Sequence, residues 1–170
     1  MFLRKTLDWG HHLVKVTYDY MLELAARKNA MLFLFIVAFV ESSFFPIPPD
    51  IMLIPMVLAT PAKAYRIAGL ATVASVLGGY FGYLIGVFGY DLIAKPILTF
   101  YGYMSQFDVF KGYYHEWGAW IVFGAGLTPF PYKVVTIASG VVHLDLLVFT
   151  VASVLARGGR FFLVAWLLKK

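Results

Sequence analysis

Charged positions recur through the first 29 residues and then become rare. Alongside Arg4, Lys5, Asp8, Lys15, Asp19, Glu23, Arg27 and Lys28 stand Leu3, Leu7, Val14, Tyr18, Met21 and Ala25, at steps of three, four or seven. That spacing gathers the apolar residues on one stripe of a helix and the cations on the other face. It predicts an amphipathic helix over residues 1–29, lying in a membrane interface or packed as an ordinary surface helix. The recurring charges leave no apolar region of the kind a cleavable signal peptide needs.

Residues 30–59 are apolar but interrupted. Ala30 to Phe45 reads as one half and Ile51 to Ala59 as another, with Pro46-Ile47-Pro48-Pro49-Asp50 between them. So many prolines cannot continue a helix. A spanning helix takes about 20 residues, so neither half crosses a bilayer alone. The pattern predicts a re-entrant hairpin whose broken backbone is buried in protein or lines a cavity; a Pro-kinked spanning helix is the alternative. Residues 67–90 contain no charge and read as a transmembrane helix. Within it Ala74, Gly78, Gly82 and Gly86 form a small-residue stripe that admits a close neighbour, either in the same chain or in a second copy of a homo-oligomer. Residues 91–116 are more polar and rich in aromatics, as expected of an interfacial connector. Residues 117–142 are apolar and broken again at Pro129-Phe130-Pro131-Tyr132-Lys133, which predicts a second hairpin. Residues 144–168 give a second transmembrane helix, one that contains Arg157 and Arg160.

The two broken segments superpose at an offset of 83 residues, and the helices after them at 78. Thr72-Val73-Ala74-Ser75-Val76-Leu77 is identical to Thr150-Val151-Ala152-Ser153-Val154-Leu155, and a Gly-Gly-x-Phe follows each, at Gly78 and Gly158. Two matches in one order indicate an internal repeat. Each unit is a hairpin plus one crossing, so the second hairpin enters from the opposite side. The expected fold is therefore an all-α membrane domain of two inverted repeats, a transporter architecture.

Composition agrees with that picture. Of the 170 residues, 61% are hydrophobic and 14% charged, against roughly 45–50% and about 25% in soluble proteins. Too little polar surface exists to cover a soluble enzyme, and the absence of cysteine removes thiolate metal sites and a cysteine nucleophile. With both termini cytoplasmic, Arg4, Lys5, Lys15, Arg27, Lys28, Lys63, Arg66, Lys169 and Lys170 are inside and only Lys95 and Lys111 outside. That asymmetry follows the positive-inside bias. Two lysines are also too few for the aromatic connector to bind nucleic acid.

Five charges fall within apolar segments: Glu41, Asp50, Lys133, Arg157 and Arg160. Arg157 stands 12 residues from both Asp145 and Lys169, roughly 18 Å along a helix. A charge at the bilayer centre costs about 2.5–3.5 kcal/mol or more. The plain reading is a neutralising network, yet three cations against two acids leave one positive charge unmatched. A phosphate headgroup supplies the missing partner, and arginines three residues apart can face it together. Lys133, Arg157 and Arg160 are thus the candidate headgroup-binding residues, and Glu41 and Asp50 the candidate proton- or ion-coupling residues. Pro46, Pro48, Pro49, Pro129 and Pro131 mark the hairpin tips, whose freed backbone can also bind a headgroup. Thr128 and Ser139 could add hydroxyls, although local backbone bonds are the plainer role for them. No P-loop, His-Glu-x-x-His or dinucleotide fingerprint occurs, and Ser42, Ser43 and Ser139 have no His-Asp partners nearby. His143-x-Asp145 is better read as a loop than as a metal site. No enzyme chemistry, metal or cofactor is expected.

Glu41-x4-Pro46-x-Pro48-x-Asp50 resembles the first motif of the DedA family, also called the SNARE-associated or VTT-domain family, which usually has Glu at the position of Asp50. Thr128-Pro129-Phe130-Pro131-Tyr132-Lys133 with Gly140, and Arg157-Gly158-Gly159-Arg160-Phe161, look like its YqaA branch. The second motif departs from typical members: Gly126 and Tyr132 stand where they carry arginines, with Lys133 one residue off. The resemblance, over about residues 30–168, implies a multi-pass protein of a bacterial inner membrane with two facing re-entrant hairpins. It implies movement of lipids between leaflets, undecaprenyl phosphate or phospholipids among them, in some members dependent on the proton-motive force. Carried over, Glu41 and Asp50 become the acidic coupling residues. The competing expectations are a proton- or ion-coupled transporter of a small solute and a non-transporting scaffold.

Overall fold

The computed structural model describes residues 15–16, 19–43, 48–128 and 130–169. The start of the amphipathic stretch, Pro46 and Pro129 lie outside the described residues. Among those described, the chain is helical, without a strand. Residues 19–25 are helical, followed by α1 (Ala30–Ser43), α2 (Asp50–Ala59), a 3-10 turn (Pro61–Lys63) and α3 (Ala64–Gly89). A π-type turn (Tyr90–Ala94) leads into α4 (Lys95–Phe100), then come α5 (Met104–Leu127), α6 (Tyr132–Val141) and α7 (Leu146–Leu168).

The prolines set the breaks. Pro49 caps α2, a position where its missing N–H costs nothing, and Asp50 in the first turn faces the positive end of the helix dipole. Pro131 caps α6 in extended backbone. In the turn between α6 and α7, His143 takes the left-handed conformation (φ 54°). There the Leu144 N–H donates to Ser139 O at 2.9 Å and the His143 N–H to Gly140 O at 3.1 Å, closing α6 with a Schellman-type cap. Asp145 then caps α7, accepting from the Leu147 and Val148 N–H groups at 2.9 and 3.0 Å. His143 and Asp145 thus do the work of a helix–helix turn.

Two stretches, Pro61–Phe100 and Leu146–Leu168, are long and apolar enough to cross a membrane. They run antiparallel. The Tyr65 ring stacks near Phe162, the Tyr80 hydroxyl lies 2.6 Å from the Thr150 hydroxyl, and Tyr83 donates to Leu144 O at 2.7 Å. Around α3 pack α1, α6 and α7, while α5 lies on α7. The small-residue stripe explains the closeness: a Cβ at Gly78 would strike the Phe39 carbonyl, at Gly82 the Thr136 hydroxyl, and at Gly86 the Ile137 carbonyl. Gly140 of α6 meets the Tyr83 carbonyl in the same way. The stripe therefore serves packing within the chain.

The stretch expected as a connector, 91–116, is largely helical. Residues 95–100 extend the helical run beyond the π turn, and 104–116 are the first half of α5. Asp108, Lys111 and Glu116 lower the hydropathy there without breaking the helix, because polarity and helix propensity are separate properties. The second broken segment consequently pairs a helix of 24 residues with one of 10, where the first pairs 14 with 10.

Two apolar clusters form the interior. One gathers Leu34, Met52, Val57, Ile67 and Phe161, the other Tyr114, Val122, Tyr132, Val135 and Phe149. Outside, large apolar side chains face outward, among them Phe88, Leu92, Phe100, Trp120 and Leu147, each more than half exposed.

Candidate functional site

Arg157 lies where the two apolar clusters meet. It projects from α7 with 1% of its surface exposed, its guanidinium between the Tyr132 ring of one cluster (4.9 Å) and the Phe161 ring of the other (4.7 Å). Both contacts are cation–π interactions in a desolvated setting, where they are strongest. Its Nη2 donates to Glu41 Oε2 at 2.9 Å and its Nε to Ser75 Oγ at 2.5 Å. Ser75 and Ser42 share a hydrogen bond of 2.6 Å, and Ser42 donates onward to Glu41 at 3.2 Å. The ion pair thus comes with the further hydrogen bonds that a buried charge requires.

One turn along α7, Arg160 pairs with Asp50 and donates to Thr128 O at 3.3 Å. The other Asp50 oxygen, Oδ1, is buried with no hydrogen-bond partner among the described residues. Lys133, in the first turn of α6, is half-buried and in no ion pair among the described residues.

These side chains line a single cavity of about 410 Å3. Glu41 and Asp50 stand on its wall with Lys133, Arg157 and Arg160, and Pro48, Pro49, Phe130 and Pro131 complete it. Residues from three separate stretches of sequence, the two broken segments and α7, therefore converge on one space. Thr128 and Ser139 do not join through their hydroxyls. Thr128 Oγ1 donates to Gly124 O at 2.8 Å, and Ser139 Oγ to Val135 O at 2.7 Å, with Tyr114 at 3.0 Å.

Sequence reasoning passed over Ser75, Tyr132 and Phe161 as parts of the site. Ser75 had a signal, since it lies inside the repeated hexapeptide and Ser153 is its counterpart. Ser75 and Arg157 each stand eleven residues past the start of their helix, about 16 Å along it. The site is therefore near mid-height of both long helices. Among the described residues it holds two cations in ion pairs and a third, Lys133, in none.

No protein-family model matches the chain, and no solved structure matches it. An uncharacterized protein of Haemophilus influenzae is 39% identical over 148 residues, covering 87% of this chain and 77% of that protein. The uncharacterized protein HI0703 homolog of Histophilus somni is 40% identical over 157 residues, covering 90% of this chain and 82% of that protein.

Proposed function

The chain belongs to one family with these Haemophilus influenzae and Histophilus somni proteins, and we propose that it is an integral membrane transporter that moves a phosphate-bearing lipid between leaflets. The observation that carries this reading is the charge balance of the cavity. Arg157 is matched by Glu41 and Arg160 by Asp50, which leaves Lys133 without an acid among the described residues. An anionic headgroup completes the set, and undecaprenyl phosphate or a phospholipid is the substrate class.

The membrane setting is supported by the two long apolar helices and by the outward-facing aromatic and aliphatic side chains, which water would penalise. Inverted repeats are supported by packing in register. Ser43 Oγ of α1 donates to Gly78 O of α3 at 3.0 Å. The equivalent residues at the two sequence offsets, Gly126 and Ala156, meet between α5 and α7. α3 and α7 are antiparallel, as an inverted pair requires. The short helices α1 and α2 beside the first proline break do not reach across a bilayer alone, and we read that segment as a hairpin whose tip faces the cavity; beside the second break α6 is as short, while α5, at 24 residues, has the length of a crossing.

In this mechanism Lys133 takes the headgroup first. Arg160 joins it as Asp50 releases the guanidinium, and a proton on Asp50 favours that release because a neutral carboxyl no longer pairs with arginine. Proton uptake and headgroup binding are then linked at one residue. Arg157, enclosed by Glu41, Ser75 and two rings, holds α7 against α1 and α3 and sets the geometry. The chain sits in a bacterial inner membrane with both termini on the cytoplasmic side.

Lipid translocation in proteoliposomes tests the reading. With undecaprenyl phosphate and common phospholipids compared, Lys133→Ala and Asp50→Ala are expected to lower flux at least tenfold while the protein stays folded. Flux at the wild-type level in Lys133→Ala, or no movement of any lipid by folded wild-type protein, rejects it.

A further inference from the structure

A second pocket, which the transport site does not use, lies at the far end of α2. About 300 Å3 in volume, it opens where the turn at residues 26–29 meets the turn at 60–63. From Asp50 to Ala59, α2 spans nine residue steps, about 14 Å, so the pocket is separate from the cavity. Met31, Met56 and Ile67 give it apolar walls, and Lys28 and Lys63 stand exposed on its lining. Arg27 reaches it too, with its guanidinium held by Glu23 at 2.7 Å. Neither lysine has an ion-pair partner among the described residues. Arg66 is exposed one turn beyond Lys63. Leu32 and Leu58, each next in the chain to a lining residue, are 56% exposed.

We infer that this pocket binds the phosphate headgroup of an anionic membrane lipid through Lys28 and Lys63, with the acyl chains lying on the apolar surface beside it. A lipid satisfies both halves of the pocket. A soluble anion would answer only the lysines, and an apolar solute only the walls. Cations on the lining of one pocket, in no ion pair among the described residues, repel one another until an anion sits between them. The basic cluster also lies on the side that the charge asymmetry assigns to the cytoplasmic leaflet, where anionic lipids attract basic pockets. The inference rests on the membrane reading above but not on transport.

Native mass spectrometry of protein extracted from vesicles of equal phosphatidylglycerol and phosphatidylcholine tests it. Wild type is expected to retain phosphatidylglycerol selectively. Lys28→Ala/Lys63→Ala should lower that retention about 30-fold, the loss of two lysine–headgroup attractions. Lys28→Arg/Lys63→Arg, with the charges kept, should retain the lipid and so separate charge from folding. Lys133→Ala, which removes headgroup binding in the cavity, is the background in which the Lys28/Lys63 loss is also read, and the same factor is expected there. Equal retention in the double alanine variant overturns the site. So does retention abolished in Lys133→Ala with Lys28 and Lys63 intact, which would put all of the lipid in the cavity and leave the transport reading standing. Displacement of the lipid by inorganic phosphate would overturn a lipid as the ligand.

Discussion

A charge buried beside its partner and a charge left without one answer substitution in opposite ways. Removing Arg157 strands Glu41 and the Ser42–Ser75 pair in an apolar setting, and breaking a buried pair from one side costs about 3–5 kcal/mol. Arg157→Ala should therefore lower the thermal unfolding midpoint in detergent sharply. Lys133→Ala should move it little, because a half-exposed residue outside any ion pair is worth within about 0.5 kcal/mol. Equal midpoints for the two variants would contradict the division of roles between them. All five charged residues of the cavity could be found in the sequence, because charge in an apolar run is costly and therefore conspicuous. Which cation was spare could not be found there. Pairing depends on which side chains meet across more than 100 residues of chain, as Arg157 meets Glu41 and Arg160 meets Asp50. Tyr132 was hidden for a related reason: a tyrosine beside prolines looks like any other aromatic until its ring is seen over a guanidinium.

At the level of elements, glycine sorts into two kinds. Gly82 and Gly140 sit where backbone or side chain of a neighbouring helix occupies the space of a Cβ, whereas Gly112 of α5 has nothing within 4 Å. Gly82→Val should cost about 1–3 kcal/mol by forcing α3 and α6 apart. Gly112→Ala should add about 0.5–1 kcal/mol by favouring the helix. Thermal melts of both variants check this, and a melt of Gly82→Val like that of wild type would contradict the close approach. The four-residue period of the stripe made a helix contact legible in sequence, and the structure supplied the partners, α1 and α6. The proline breaks were legible too, since proline constrains its own backbone and that of its neighbour. The start of α5 was not, because a polar, aromatic segment and an amphipathic helix share one composition.

For the whole molecule, cations gather at one end. Lys28, Lys63 and Arg66 lie there, and Lys169 rests 4.6 Å from the centre of the Tyr65 ring. The chain has no cysteine, so single cysteines can report sidedness without a background. Lys63→Cys should react with a membrane-impermeant maleimide only from the cytoplasmic side, and Tyr103→Cys only from the outside. Labelling of both from one side would contradict a membrane crossing by the run Pro61–Phe100.

Arg157 and Arg160 stand three residues apart on one rigid helix, and each pins a different flank of the first proline break, Glu41 before it and Asp50 after it. A headgroup can free the Arg160 side chain from Asp50, yet α7 stays bolted while Arg157 keeps Glu41. On the transport reading α7 would then act as a coincidence detector, turning only when both locks yield. Glu41→Gln and Asp50→Asn should accordingly be non-additive: the double variant should change the rate of α7 movement, followed by a spin label, by more than the product of the two single effects. A simple product would mean that the locks open independently.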